Sequence, residues 1–274
     1  KAILADQMGL GKTSQAIVAA GEAGKDILVV CPASMKITWE REIHEIYPGD
    51  EVEIIGVENK HKPAWYIVNY DQLKKHLPYI QTLKLGTVIL DESHYIKGSS
   101  IRARLSIKLC EEADRVYLLS GTPIMNRPIE LWNQLKALSH ELTTGGQYAW
   151  IHFITRYCNA FQRTARGHTF WDTRGASNIP ELKEKIKDVF LRREKSEVLD
   201  LPAKLISKIT VEMEKAWANK YARAWDDYLE WLKNNPPEDD PDKIDRVIMA
   251  RQLVELQKLK QVCSQAKLER IVED

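Results

Sequence analysis

The chain has 274 residues, 44% of them hydrophobic and 29% charged, which fits one or two globular domains and argues against a disordered chain. Forty basic against 39 acidic side chains leave a net charge of +1, which argues against a histone-like polycation or an acidic tail. The four cysteines (31, 110, 158 and 263) are too scattered for a disulfide framework or a paired zinc site, and no apolar run approaches the ~18 residues of a membrane span.

An intracellular protein with reduced thiols and no membrane association is expected. The chain opens Lys1-Ala2-Ile3-Leu4-Ala5, without Met or a signal peptide and already inside an apolar run. It reads as a piece of a longer protein.

Up to about residue 140, short apolar runs recur at Ala2–Ala5, Ile27–Cys31, Val52–Ile55, Trp65–Val68, Val88–Leu90 and Val116–Leu119. Stretches with helical spacing lie between several of them, such as Ile37-Glu40-Ile43 and Leu105-Leu109. Continuous Val/Ile/Leu runs separated by helices predict a buried parallel sheet in an α/β fold, with its ligand at the carboxyl ends of the strands. Beyond about residue 140, Trp150, Phe153, Tyr157 and Phe161 fall on one predicted helix face, the core of a helical protrusion. Gly167–Asn178 reads as a polar loop containing Phe170-Trp171. Ile179, Leu182, Ile186 and Val189 mark a second amphipathic helix with Pro180 in its first turn. Ile206–Val211 alternates like a strand, and helices over about 214–234 and 243–272 flank the acidic, proline-rich stretch Pro236–Pro241. No internal repeat is evident.

The first apolar run leads into Asp6-Gln7-Met8-Gly9-Leu10-Gly11-Lys12-Thr13 and then a helical pattern. A glycine loop between strand and helix lets backbone N–H groups approach a phosphate, with the helix N-terminus aimed at the anion. Lys12 would reach the outer phosphates of a nucleotide and Thr13 would hold Mg²⁺; Asp6 stands where the usual pattern has glycine. Val88-Ile89-Leu90-Asp91-Glu92-Ser93-His94 sets two carboxylates at the end of a buried strand, a costly arrangement unless a cation compensates. Asp91 would position the metal and Glu92 would orient and activate water.

A further apolar strand ends in Ser120-Gly121-Thr122-Pro123. Together these segments resemble the first RecA-like lobe of the Swi/Snf-related ATPases of helicase superfamily two. The resemblance extends to Val30–Ser34 with Trp39 and Glu42, to Ile67–Asp71, to Ile96-Lys97, to Asn126 with Glu130-Leu131-Trp132, and to Leu191-Arg192-Arg193, Lys195-Ser196, Val198 and Leu201-Pro202. Asp91–His94, Arg127-Pro128, Tyr157-Cys158-Asn159, Gly175–Asn178 and Leu199–Pro202 look like the HepA-related, annealing-helicase branch.

The resemblance implies a RecA-like P-loop NTPase sandwich of three layers around a parallel sheet, with a C-terminal helical protrusion and linker. Lobe one would occupy 1–140, the protrusion 141–200, and a run-out with helices toward a second lobe 201–274. It implies ATP-driven translocation on double-stranded or branched DNA by a monomer, with Mg²⁺, in the cytoplasm or nucleoid of a prokaryote or phage, or in a eukaryotic nucleus. The nucleotide site would comprise Asp6, Met8, Gly9, Leu10, Gly11, Lys12, Thr13 and His94, with Lys12, Asp91 and Glu92 catalytic. His94, Ser120, Gly121 and Thr122 would couple nucleotide state to DNA, which Lys36, Asn69 and Lys97 would touch. Trp39 is expected in a helix core. The missing C-terminal lobe of the same chain would bring arginines worth about 10³–10⁵ in rate in related enzymes.

Two alternatives stay open. One is a motor lobe of a restriction system or an RNA helicase of the same superfamily, although RNA helicases usually carry Ser-Ala-Thr where this chain has Ser120-Gly121-Thr122. The other is a non-catalytic nucleotide-gated DNA-binding module, against which the intact Glu92 argues. The charge is also unevenly spread: residues 156–208 carry 12 basic and 7 acidic groups, a plausible face for a DNA backbone.

Overall fold

The computed structural model describes every residue except 25, 58–62, 122–126, 166, 201–211, 235–245 and 272–274. All six predicted strands form: β1 (Ala2–Leu4), β2 (Ile27–Cys31), β3 (Val52–Ile54), β4 (Trp65–Asn69), β5 (Thr87–Leu90) and β6 (Arg115–Leu119). Between them run α1 (Lys12–Gly21), α2 (Lys36–Ile46), α3 (Leu73–Ile80) and α4 (Ile101–Glu112). Next come α5 (Glu130–Ala137), α6 (Gln147–Tyr157), β7 (Phe161–Ala165), β8 (His168–Asp172), α7 (Ile179–Ile186), β9 (Phe190–Leu191) and α8 (Lys195–Val198).

The main sheet has the order β3-β4-β2-β5-β6-β1-β9, and every pairing in it is parallel. Alternating side chains of one strand feed opposite cores. Leu28 and Val30 pack with Leu73 and Ile80 of α3 and Ile107 of α4, while Ile27 and Val29 pack with Ile17 of α1 and Trp39 and Ile43 of α2. The result is three layers, helix–sheet–helix, and burial on both faces explains the uninterrupted apolar runs. A third core joins Leu131 and Leu135 of α5, Phe153 and Tyr157 of α6, and Leu182 and Ile186 of α7.

The region after residue 140 differs from its sequence reading in three places. Helix α6 stops at Tyr157, and Asn159 takes a left-handed conformation (φ 47°), a region Asn tolerates better than most residues. Phe161 therefore leaves the helix face, lies in β7 and is 56% exposed. Part of the expected polar loop is β8, which pairs antiparallel with β7. The chain then returns to the main sheet. Phe190 and Leu191 pair parallel with Ile3 and Leu4 as β9, too short a strand to show as a sequence pattern.

The chain divides into two compact units, Lys1–Leu201 and Pro202–Asp274. In the second, α9 (Lys215–Asn234) packs against α10 (Arg246–Ile271), close to the helices expected there. The strand expected at 206–211 and the stretch 236–241 lie outside the described residues. Among the described residues no helix is long and apolar enough to cross a membrane.

Candidate nucleotide site

The carboxyl ends of β1, β5 and β6 meet at one place. After β1, the loop turns through Gly9 (φ +83°) and Gly11 (φ +71°), left-handed conformations that favour glycine, and enters α1 at Lys12. No side chain caps α1, so its first turn presents backbone N–H groups and the positive end of the helix dipole. A cavity of about 550 Å³ opens there, lined by Met8, Gly11, Lys12, Thr13, Asp91 and Glu92 among others. A larger cavity of about 650 Å³, beside α4 and lined by Trp132, Trp150 and Trp171, holds none of the expected site residues.

The Lys12 ammonium donates to the carbonyls of Asp6 (2.8 Å) and Gln7 (3.4 Å). Burial draws it below the ordinary lysine value, against the opposing pull of Glu92, Asp6 and Asp91. Asp91 is nearly buried, and burial raises its carboxyl above the ordinary range. Hydrogen bonds from the Trp39 indole N–H to Oδ2 (2.9 Å) and from the Glu92 backbone N–H to Oδ1 (2.9 Å) only partly oppose that rise. Glu92 itself sits in the left-handed region (φ 47°, ψ 54°), sparsely populated by residues other than glycine and a recurring feature of functional sites. His94 Nδ1 stands 3.1 Å from Glu92 Oε2. From below, the Tyr70 hydroxyl donates to the Asp91 carbonyl (2.7 Å), and Ser93 Oγ donates to Gln134 Oε1 of α5 (3.1 Å).

Gly121 closes the third side. A Cβ placed on it would come 2.9 Å from Met8 Cγ and 3.7 Å from Lys12 Nζ, so the end of β6 abuts the phosphate loop directly. Ser120 is buried, its backbone N–H bonded to the Leu4 carbonyl (3.1 Å). Thr122, with Pro123 and Asn126, lies outside the described residues.

These residues fit a nucleotide with magnesium. Among the described residues no cluster of three or more His, Cys, Asp or Glu side chains could hold a metal by itself. A cation between Thr13 and Asp91 would thus draw further ligands from phosphates and water, the usual habit of Mg²⁺.

The remaining expected residues are spread more widely. Asp6 does not turn its side chain to the cavity; its carboxylate is buried against Arg193 and Gln15. Lys36, Asn69 and Lys97 follow or end the adjacent strands β2, β4 and β5, all at the carboxyl edge of the sheet. Asn69 is only 7% exposed and has the least surface to offer a ligand. Much of the positive charge of residues 156–208 is held in ion pairs: Arg156 with Glu181, Arg163 and Arg174 with Asp172, Lys187 with Glu184, and Arg193 with Asp6. Sequence reasoning did not find Trp39 as a partner of Asp91, nor Arg193 as a partner of Asp6; the members of each pair are far apart in the chain.

A family model described as the SNF2-related domain matches residues 1–268. The chain belongs to the SNF2-related family. Its fold is also that of a solved structure, the Sulfolobus solfataricus SWI2/SNF2 ATPase core in complex with dsDNA, with a TM-score of 0.58 and 22% identity over 95% of this chain and 53% of that one. Among curated SNF2-related proteins, mouse DNA annealing helicase and endonuclease ZRANB3 is 34% identical over 248 residues, 85% of this chain and 22% of that protein. The Bos taurus SWI/SNF-related matrix-associated actin-dependent regulator of chromatin subfamily A-like protein 1 is 40% identical over 213 residues, 74% of this chain and 22% of that protein. The chain thus spans about a fifth of the length of either relative.

Proposed function

We propose that this chain is the ATP-binding and ATP-hydrolysing lobe of a DNA-dependent ATPase that translocates on double-stranded DNA, of the remodelling, fork-reversal or annealing-helicase kind. The observation that carries this reading is the convergence of Lys12, Asp91 and Glu92 on one cavity at the carboxyl edge of the sheet, with the buried carboxylate of Asp91 poorly compensated by its protein neighbours. Mg²⁺ held there with a nucleotide's phosphates would supply the missing positive charge. The family and the relatives' names support the assignment to DNA.

In this reading the loop from Met8 to Gly11 cradles the phosphates with backbone N–H groups, and Lys12 binds their outer oxygens. Thr13 and Asp91 would hold Mg²⁺, which when bound neutralises charge on the phosphoryl group being transferred. Glu92 orients the attacking water and accepts its proton. His94, Ser120, Gly121 and Thr122 link this site to the DNA-facing edge, where Lys36, Asn69 and Lys97 stand. A second RecA-like lobe supplies arginines across the cleft. The protein works inside the cell, as a monomer on DNA.

The test is DNA-stimulated ATP hydrolysis by the protein joined to its second lobe, with Glu92→Gln beside wild type. The variant should bind ATP and DNA and lose about 10²–10⁴-fold in turnover, the usual contribution of a general base. Unchanged turnover removes Glu92 from the mechanism.

A further inference from the structure

The aspartate that replaces glycine at the head of the phosphate loop is fully buried, an expensive place for a carboxylate without a built partner. Its partner comes from the far end of the same unit. Arg193 Nε donates to Asp6 Oδ1 and Oδ2 at 3.2 and 3.1 Å, and its Nη2 donates to Oδ2 as well. The Arg193 backbone N–H adds a bond to Oδ1 at 2.9 Å, and Gln15 Nε2 one to Oδ2 at 3.2 Å. Burial alone would raise this carboxyl, but the bonds from Arg193 and Gln15 hold it below its ordinary value. The same aspartate accepts the Lys12 ammonium on its main-chain carbonyl, so one residue touches the lysine and the arginine at once.

Two further links run alongside. The Gln7 backbone N–H donates to the Arg193 carbonyl (3.1 Å), and the Lys195 backbone N–H donates to Gln7 Oε1 (3.0 Å). A Cβ on Gly9 would lie 3.3 Å from Lys195 Nζ. Residues 193–195, which leave the sheet after β9, therefore lie along the phosphate loop from Asp6 to Gly9.

We propose that Arg193 is a positioning residue for the phosphate loop: residues 193–195 form a strap, locked by the Asp6–Arg193 pair, that sets the loop for a nucleoside triphosphate and ties occupancy of that site to the course of the chain beyond β9. The inference rests on the nucleotide reading of the site. By reciprocity, a ligand that prefers the strapped loop also tightens the strap.

The test measures binding of a fluorescent ATP analogue with Mg²⁺, and amide hydrogen exchange, in the full chain, for wild type, Arg193→Gln, Arg193→Lys and the double variant Asp6→Asn with Arg193→Gln. Arg193→Gln strands a buried carboxylate, so the dissociation constant should rise about tenfold or more, while the double variant recovers much of that loss because no charge is left unpaired. Arg193→Lys keeps the charge without the two-pronged geometry and should fall between; it also serves should Arg193→Gln not fold. Nucleotide should slow exchange at the Arg193 and Lys195 amides, and Arg193→Gln should speed exchange across residues 7–12 without nucleotide. A purely structural role would lower the melting temperature and leave the affinity of the folded protein unchanged. Affinity within twofold of wild type in Arg193→Gln and Arg193→Lys, or unaltered loop exchange, overturns the strap. Absence of binding by wild type overturns the nucleotide reading instead, and the exchange rates of residues 7–12 then judge the strap alone.

Discussion

The indole N–H of Trp39 donates to Asp91 Oδ2 at 2.9 Å, joining residues 52 positions apart inside the core. Trp39 is fully buried among the side chains of α1, α2 and the sheet, so its ring cannot swing away from the carboxylate. The amphipathic spacing of α2 thus does two things: it buries an aromatic ring, and it aims a fixed donor at the acid proposed to hold the metal.

Replacing Trp39 with Phe should keep most of the packing and remove the donor. A buried acceptor losing a partner costs about 1–3 kcal/mol, so the melting temperature should fall. Loss of an outer-shell partner typically weakens metal binding about 10–100-fold, so the Mg²⁺ concentration for half-maximal nucleotide binding should rise. A Mg²⁺ dependence equal to that of wild type would mean that Trp39 only packs.

Asp91 should trade stability for function. Burial raises its folded-state pKa above the ordinary 3.8, so the group favours folding below that pH and loses this contribution as pH rises through the raised value. Asp91→Asn removes the titrating charge but turns its amide NH2 toward one of the two N–H donors, so the informative quantity is pH dependence: the melting temperature of the variant should gain on that of wild type as pH rises from acid to neutral. The same variant should lose the thermal stabilisation that Mg·ATP gives wild type. Differential scanning fluorimetry across this pH range, with and without Mg·ATP, reads both effects, and a difference between the two proteins that does not move with pH would contradict this view of the site.

Tyr70 supports the acidic box from beneath. Its hydroxyl reaches the Asp91 carbonyl at 2.7 Å, and its ring stacks on Tyr95 with centroids 5.3 Å apart. Tyr70→Phe should retain the stack, strand one buried carbonyl and cost about 1–2 kcal/mol in urea unfolding. No loss would show that water or a shifted backbone satisfies the carbonyl.

Strong acid should loosen the β7–β8 hairpin. Hydrogen bonds from Arg174 draw the Asp172 carboxyl down to about 2, from an ordinary 3.8. Its stabilising contribution is complete above pH 3.8 and disappears as pH falls toward 2. Trp171, next in sequence and half-buried, should report the change as a fluorescence transition in that interval. Asp172→Asn should remove the transition, and a persisting transition would assign it to another carboxylate.

The main sheet was legible because its first six strands are mostly apolar and mostly buried, most plainly Ile27–Cys31, where every residue is buried. Strand β9 was not, because two residues, Phe190 and Leu191, make no pattern and are recruited by pairing with β1. The β7–β8 hairpin escaped because its side chains are mostly exposed and polar, which removes the alternation that marks a half-buried strand. The phosphate loop and acidic box were read from motifs that are contiguous in the chain. The Trp39–Asp91 and Asp6–Arg193 pairs were not, since each joins residues that only the fold brings together. Arg193 shows the gap well: in sequence it belongs to a basic run open to DNA, and in the fold it serves a buried carboxylate.

The most direct test of the central claim, that the loop from Asp6 to Thr13 and the Asp91-Glu92 box form one Mg·ATP site, is a titration of this chain with a fluorescent ATP analogue in the presence of Mg²⁺, wild type beside Lys12→Ala. Wild type should bind saturably and the variant should lose about 10–100-fold in affinity, the worth of one hydrogen bond to a charged group. Equal affinity in the two proteins, or no binding by wild type, would contradict it.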